Sequence, residues 1–334
     1  MAKVRAATWA KYLGAAHAVT VANGTDALEL ALRAAGVKPG DRVLTVANTA
    51  TATVAAIELS GARAEFVDID PRTMTMDPEA LAGKLAARSE PAPKAVVPVH
   101  LYGHPADLPR IGEIAGRHGL AVIEDCAQAH GATIHGRRVG TWGKAGAFSF
   151  YPTKNLGAIG DGGAVTTGDA PLAEQIRLLR QYGWRERYVA EVPGKNSRLD
   201  ELQAAILRVK LARLDTDNRR RRELAGHYLR LLASAGLTLP ETAADCEPVW
   251  HQFVVRTPER DLLKAHLAAA GVHASVLYPV PIHRQPAYRD ERVHLPVTEQ
   301  VCRELLCLPM HPGLADEDID AICRRILNWS AGRS

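Results

Sequence analysis

From His17 to Thr167 short apolar, β-branched runs alternate with segments of helical periodicity, and no other feature narrows the fold as much. Strands separated by helices line up as a largely parallel sheet with helices packed on its faces. The candidate strands are Ala18 to Val21, Arg42 to Val46, Glu65 to Ile69, Ala95 to Val99, Ala121 to Glu124, Ala147 to Phe150 and Ala164 to Thr167. Helices are expected to begin near Thr25, Thr51, Asp77, Leu108 and Pro171, after a first helix over Ala7 to Leu13. The reading is one large α/β domain around a mostly parallel seven-stranded sheet.

The pattern changes after Asn196. Arg198 to Leu214 carries Leu199, Leu202, Ala205, Ile206, Val209 and Leu211 at helical spacing and runs on towards a charged helix, which predicts one long connecting helix. Beyond Leu237 come a strand over His251 to Arg256, a helix over Arg260 to Ala270, the proline-rich segment Tyr278 to Tyr288 and a last helix from Asp316. Residues 1–214 are therefore expected to form the large domain, and residues 215–334 a small α+β domain.

The length of 334 residues, about twice that of a usual single domain, agrees with two domains. Forty-one Lys and Arg against 37 Asp and Glu give a formal charge of +4, spread along the chain, which disfavours a dedicated nucleic-acid binder. Arg219 to Arg222 are the only dense basic run; consecutive residues point all round a helix, so a solvated or subunit-contacting helix is favoured over an anion site. No apolar stretch reaches the roughly 18 residues a membrane span needs, and no signal peptide is evident, so a cytoplasmic location is expected. Five cysteines make no disulfide framework, and Cys302 and Cys307 read as the buried face of a C-terminal helix rather than a metal site. His100 and His104 are four residues apart but lack a third ligand, so no metal is expected there either.

Three segments carry chemistry. Asn23-Gly24-Thr25-Asp26 stands where a strand gives way to an apolar helix; freed N–H groups and a close-approaching glycine suit a phosphate, although capping by Asn23 or Thr25 explains the same letters. Asp125 closes a buried strand, where open α/β sheets gather ligands, or else caps a helix. Lys154 lies between the β-like run Phe148-Ser149-Phe150 and the turn Gly157 to Gly163. An amine dried by such surroundings loses its proton more easily and becomes a nucleophile for Schiff-base chemistry; a surface lysine in a turn is the bland alternative. The glycines at 157, 160, 162 and 163 lack dinucleotide-fingerprint spacing, which argues against a nicotinamide dehydrogenase. Phosphate cradle, carboxylate and lysine together are what pyridoxal 5'-phosphate requires.

With those pieces in place, the chain resembles the DegT/DnrJ/EryC1/StrS family of pyridoxal-phosphate sugar aminotransferases, which have the type I aminotransferase fold. The likeness runs through VANGTDALELAL, FVDIDPRTMTMDP, VVPVHLYGHPADL, VIEDCAQAHGA, FSFYPTKNLGAIGDGGAV, NSRLDELQAAIL and the YPVPIHRQPAY segment. It implies that Lys154 binds the cofactor aldehyde and moves the proton, that Asp125 pairs with the pyridine nitrogen, and that Gln128 contacts the ring hydroxyl side. Gly24, Thr25 and Ser149 would hold the phosphate. Asn196 would reach the phosphate of a neighbouring subunit's cofactor, which implies a homodimer with shared active sites. His130, His283 and Tyr278 are candidates to lie near the substrate, the two histidines with an equal claim to structural roles. The implied reaction takes an amino group, commonly from glutamate, to a nucleotide-linked keto sugar or to a cyclitol ketone; a regulatory or scaffolding protein retaining the fold is the alternative. Relatives that are dehydratases have histidine at the lysine position, so Lys154 points to transamination.

Three departures stand out. Ala50 occupies a position where many relatives have an aromatic residue stacking on the cofactor ring, which leaves Asn48 as a candidate to cover that face. The turn has Asp161 where Glu is commoner, a variation associated with action at the sugar 3-position. The sequence opens almost directly on its first helix, without most of the N-terminal arm of many relatives.

Overall fold

In the computed structural model, which describes residues 2–87 and 91–332, the seven expected strands form one sheet. They are β1 (His17–Val21), β2 (Arg42–Val46), β3 (Arg63–Val67), β4 (Ala95–Val96), β5 (Ala121–Asp125), β6 (Ala145–Ser149) and β7 (Gly163–Thr167). Their order across the sheet is β1-β7-β6-β5-β4-β2-β3. Only β7 runs against the others, pairing antiparallel with β1 and β6, whereas the β6-β5-β4-β2-β3 pairs are all parallel. Every residue of β6 and β7 is buried, as expected for strands covered on both faces.

The helices start where the sequence supplies caps. Helix α1 is Ala2–Leu13, and α2 (Gly24–Ala34) begins after Asn23, whose Oδ1 accepts the Asp26 N–H at 2.8 Å. Next come α3 (Thr51–Leu59), α4 (Pro78–Ala86), α5 (Leu108–Arg117) and α6 (Ala170–Leu179). Asp77, Asp107 and Asp169 cap α4, α5 and α6, each with a proline in the first turn. The carboxylates satisfy orphan N–H groups, and proline has no N–H there to waste. One apolar layer, with Leu28, Leu32, Ile57 and Ile176, packs α2, α3 and α6 on one sheet face; Leu81, Ile111 and Leu305 belong to the layer on the other. A third cluster joins Trp9 of α1 to Phe148, Phe150 and Leu207.

The expected long connecting helix is two helices, α7 (Glu201–Leu211) and α8 (Leu214–Leu231). The Arg213 N–H bonds the Lys210 carbonyl at 3.0 Å, a tight three-residue closure that ends α7 before α8 starts. Leu214 packs in the Trp9 cluster, whereas Leu224 and Tyr228 of the same helix pack with Phe253, Leu263, Leu306 and Ile319. That second group unites α8 with α9 (Arg260–Ala269), α11 (Asp316–Ala331) and the antiparallel pair β8 (Phe253–Arg256) and β9 (Leu305–Leu308). Strand β8 begins two residues later than expected, at Phe253, and the chain enters it through Trp250, which has φ +46°.

Cys302 and Cys307 do not share a helix. Cys302 lies on α10 (Pro296–Glu304) and Cys307 in β9, where the unbroken run Leu305-Leu306-Cys307-Leu308 is a buried strand rather than a helical stripe. The arginine run is also not simply solvated: Arg221 is buried and donates to the carbonyls of Trp250 and Met310, and Arg220 reaches Leu314 O and Asp316. Among the described residues no helix is long and apolar enough to cross a membrane.

Candidate active site

The carboxyl ends of β1, β5 and β6 lie at one edge of the sheet, and the chemistry-bearing segments leave from them. Gly24 opens α2 directly against Ser149 at the end of β6: a Cβ placed on Gly24 would stand 2.6 Å from the Ser149 Cβ. Only glycine allows this approach, which sets the free N–H groups at the start of α2, Thr25 included, beside the Ser149 hydroxyl. That is a cradle of the kind that binds phosphate. Its geometry is fixed from behind. The Ser197 hydroxyl accepts the Ala22 N–H at 3.0 Å and donates to Asp26 at 2.6 Å, and the Lys195 ammonium bridges Asp26 and Glu29 at 2.6 and 2.7 Å. Asn196, between these two anchors, is exposed.

Asp125 is the last residue of β5, and only 8% of its surface is exposed. One carboxylate oxygen accepts the Ala127 N–H at 3.1 Å and the other the Thr53 hydroxyl at 2.8 Å; Thr53 in turn contacts Thr49 at 2.8 Å. Among the described residues no salt bridge engages this buried carboxyl group, whose hydrogen bonds come from Thr53 and the Ala127 N–H. Lys154 supplies the opposite charge nearby. Burial lowers its pKa, and the Asp125 carboxylate partly opposes that shift. A larger fraction of the amine is therefore neutral and nucleophilic than in an exposed lysine. The turn carrying it is pinned: the Lys154 N–H bonds Tyr151 O at 2.9 Å, and Lys210 Nζ donates to Gly157 O at 2.6 Å.

Gln128 and Tyr278 close one side. The Gln128 Oε1 accepts the Tyr102 N–H at 2.7 Å, and its Nε2 donates to the Tyr278 hydroxyl at 3.3 Å. Burial, reinforced by the Asp125 charge, pushes the Tyr278 hydroxyl up to about 12. His130 is wholly enclosed by Trp9, Phe148 and Phe150, with ring centroids 6.0, 5.6 and 5.8 Å away, and among the described residues neither of its nitrogens has a hydrogen-bond partner. Burial, with the Lys154 charge adding to it, lowers its pKa to about 3.

Gly24, Thr25 and Ser149 thus form one group, and Asp125, Lys154, Gln128 and Tyr278 another beside it. His283 joins neither by a direct bond. It is buried against Phe66, and its Nε2 meets Glu299 at 2.9 Å. Asn48 is fully buried; its Oδ1 accepts from Cys302 Sγ at 3.8 Å, and among the described residues its Nδ2 has no hydrogen-bond partner. His100, Glu124 and Cys126 cluster closely, but Glu124 accepts the N–H groups of Gly140, Trp142 and Gly143 at 2.5, 2.8 and 2.7 Å. His100 Nδ1 accepts the Ala106 N–H at 2.9 Å, which leaves Nε2 to donate to Glu124. The cluster fastens the 140–143 loop. Sequence reasoning did not find Thr53, which holds Asp125, nor Asn155, which bonds His251 and Asn218 next to Lys154.

Residues 6–327 match the DegT/DnrJ/EryC1/StrS aminotransferase family. A relative from Streptomyces venezuelae, dTDP-3-amino-3,4,6-trideoxy-alpha-D-glucose transaminase, is 47% identical over 97% of this chain and 86% of its own. The crystal structure of S. venezuelae DesV in complex with a ketimine intermediate is similar at a TM-score of 0.94, with 46% identity over 98% of this chain and 89% of that one. The Bacillus subtilis NtdA structure, with bound cofactor PMP, is similar at a TM-score of 0.88, with 31% identity over 98% of this chain and 77% of that one. The chain belongs to the DegT/DnrJ/EryC1/StrS aminotransferase family.

Proposed function

We propose that this protein is a pyridoxal 5'-phosphate-dependent aminotransferase that moves an amino group, with glutamate as donor, onto the ketone of a nucleoside-diphosphate-linked sugar. It works as a homodimer with shared sites, and its chain divides into domains near residue 214. The observation that carries the reading is a half-buried Lys154 amine beside a buried Asp125 that has no salt bridge among the described residues, next to a helix start that Gly24 lets press on Ser149. The keto-sugar substrate is supported by the name of the S. venezuelae relative, whose product carries a 3-amino group. Asn196 supports the shared site because it is exposed, on a segment anchored to the start of α2.

When bound, pyridoxal phosphate supplies an aldehyde that receives the amino group and a ring that accepts the electrons left by a departing proton. The protein's own groups do the rest. The N–H groups of Gly24 and Thr25 and the Ser149 hydroxyl hold the phosphate. Asp125, fixed by Thr53 and the Ala127 N–H, keeps the ring nitrogen protonated by charge pairing. Gln128, held by Tyr102, would contact the ring hydroxyl, with Tyr278 hydrogen-bonded to it on that side. Lys154 Nζ is the nucleophile and then the base that carries the proton between carbon centres, a role for which its lowered pKa is suited.

The test is borohydride reduction of the protein loaded with pyridoxal phosphate, followed by peptide mapping. The label is expected on Lys154 and absent from Lys154→Ala; its recovery on another lysine overturns the assignment. Glutamate alone should convert the bound aldehyde to the amine form, and a 3-keto sugar nucleotide should reverse it. No spectral change with any amino donor would refute transamination. Mixing Lys154→Ala with Asn196→Ala subunits should restore one intact site per heterodimer, and no recovery in verified heterodimers rules out sharing through Asn196.

A further inference from the structure

Behind Lys154 lies a polar chain with no part in the roles assigned above. The Asn155 Nδ2 donates to Asn218 Oδ1 and to Val249 O, both at 3.0 Å, and the Asn155 Oδ1 meets His251 Nδ1 at 3.1 Å. The Asn218 Nδ2 continues to His130 O at 2.8 Å. Asn218 and His251 are 2% and 5% exposed. These bonds have only one consistent direction. Both acceptors of Asn155 Nδ2 are oxygens, so its own oxygen faces His251 and must receive a proton from Nδ1. His251 is thereby the Nδ1–H tautomer.

The histidine is itself presented by a constrained segment. Trp250 has φ +46°, a left-handed backbone that a bulky side chain adopts only where its surroundings enforce it. The enforcement is visible: Arg221 of α8 donates to Trp250 O at 3.1 Å, and the Val249 N–H bonds Gly103 O at 3.0 Å. The charged groups acting on His251 are Lys154 and Arg221, with His130 a weaker neighbour; burial and these charges keep the ring neutral. A neutral donor anchored on one side by α8 and on the other by the residue after Lys154 fixes the backbone from which the amine projects.

We infer that His251, acting through Asn155 and Asn218, is a positioning residue for Lys154, holding the lysine-bearing turn against α8 so that the amine meets the cofactor aldehyde in reacting geometry. This rests on the assignment of Lys154 above. Misplacement of a reacting group by about an ångström can cost orders of magnitude in rate, so a rigid tie at the adjacent residue has a chemical purpose.

The test uses two amide variants of the full-length protein. His251→Asn keeps an N–H donor where Nδ1 stands, whereas His251→Gln places its amide where Nε2 stands. Dissociation constants are measured by titrating cofactor-free protein with pyridoxal phosphate, which bonds to Lys154, and with pyridoxamine phosphate, which cannot. His251→Gln should weaken pyridoxal phosphate about tenfold while changing pyridoxamine phosphate less than about twofold, the loss expected for one buried hydrogen bond; His251→Asn should bind both nearly as the parent does. Equal losses for the two ligands in His251→Gln, no loss for either, or identical behaviour of the Asn and Gln variants would overturn the inference. Lys154→Ala serves as the reference. Should it bind the two ligands in the parent's ratio, the Lys154 assignment itself is wrong, and the inference falls with it for a separable reason.

Discussion

Gly24 is the most demanding position in the candidate site, and Gly24→Ala tests the phosphate cradle directly. The added methyl would lie 2.6 Å from Ser149 Cβ, 3.1 Å from its Oγ and 3.2 Å from its Cα. Ordinary carbon contacts begin near 3.5 Å, so the start of α2 and the end of β6 must separate by about 1 Å. Overpacking of this kind costs roughly 1–3 kcal/mol of stability. The same separation draws the N–H groups of α2 away from the Ser149 hydroxyl. Losing one hydrogen bond to a charged phosphate is worth about 1.5–3 kcal/mol, or roughly 10- to 150-fold in dissociation constant. The assay pairs urea denaturation of the cofactor-free protein with pyridoxamine phosphate titration. Ser149→Gly in the Gly24→Ala background removes the nearest clashing atoms and should restore most of the lost stability, but not the affinity, since the hydroxyl has gone too. Unchanged affinity in Gly24→Ala, with the stability loss present, would refute the cradle; no stability loss would refute the contact.

Three further outcomes are expected. Asp125→Asn keeps shape but removes the charge opposite the ring nitrogen, so kcat should fall about 100-fold with little change in KM for the sugar nucleotide, as steady-state kinetics would report; a loss confined to KM would contradict the role. Glu124→Gln leaves the N–H groups of Gly140, Trp142 and Gly143 facing an amide that can satisfy only part of them, and denaturation should show a loss of about 3 kcal/mol. His130 has a pKa of about 3 in the fold against 6.5 unfolded, so between those values the unfolded chain binds the extra proton and stability falls as pH falls. Lowering the pH from 7 to 4 should therefore cost the parent roughly 3 kcal/mol more than His130→Phe, measured by urea unfolding at both values, and equal losses would disprove the assignment.

The parts of this protein that sequence exposes are those where one short stretch both builds an element and carries the chemistry. Asp125 was visible because a buried parallel strand reads as an apolar run, and the first charges after it must lie at the ligand edge of the sheet. Gly24 was visible because strand, cap and apolar helix follow one another within a dozen residues, and Lys154 because β6 and the glycine turn bracket it. The helix break at Arg213 and the strand around Cys307 were not. Helical spacing continues through the first, and a four-residue apolar run does not distinguish helix from strand until its partner, β8, is known.

The supports of the site were hidden for a different reason. Thr53 holds Asp125 across 72 residues of sequence, Asn218 meets Asn155 across 63 and His251 meets it across 96. Each sits in a segment whose local pattern is already explained, by an apolar helix, a charged helix or a strand approach, so its polarity leaves no residue of doubt to follow. What marks these side chains is burial joined to hydrogen bonds with residues far off in sequence, and both properties belong to the assembled fold. A lysine motif alone specifies a nucleophile, whereas the Asn155 tie specifies where that nucleophile points; a chain could keep the first and lose the second, binding pyridoxamine phosphate normally while reacting poorly with the aldehyde. Comparison of the two ligands therefore measures the part of the catalyst that the motif does not encode.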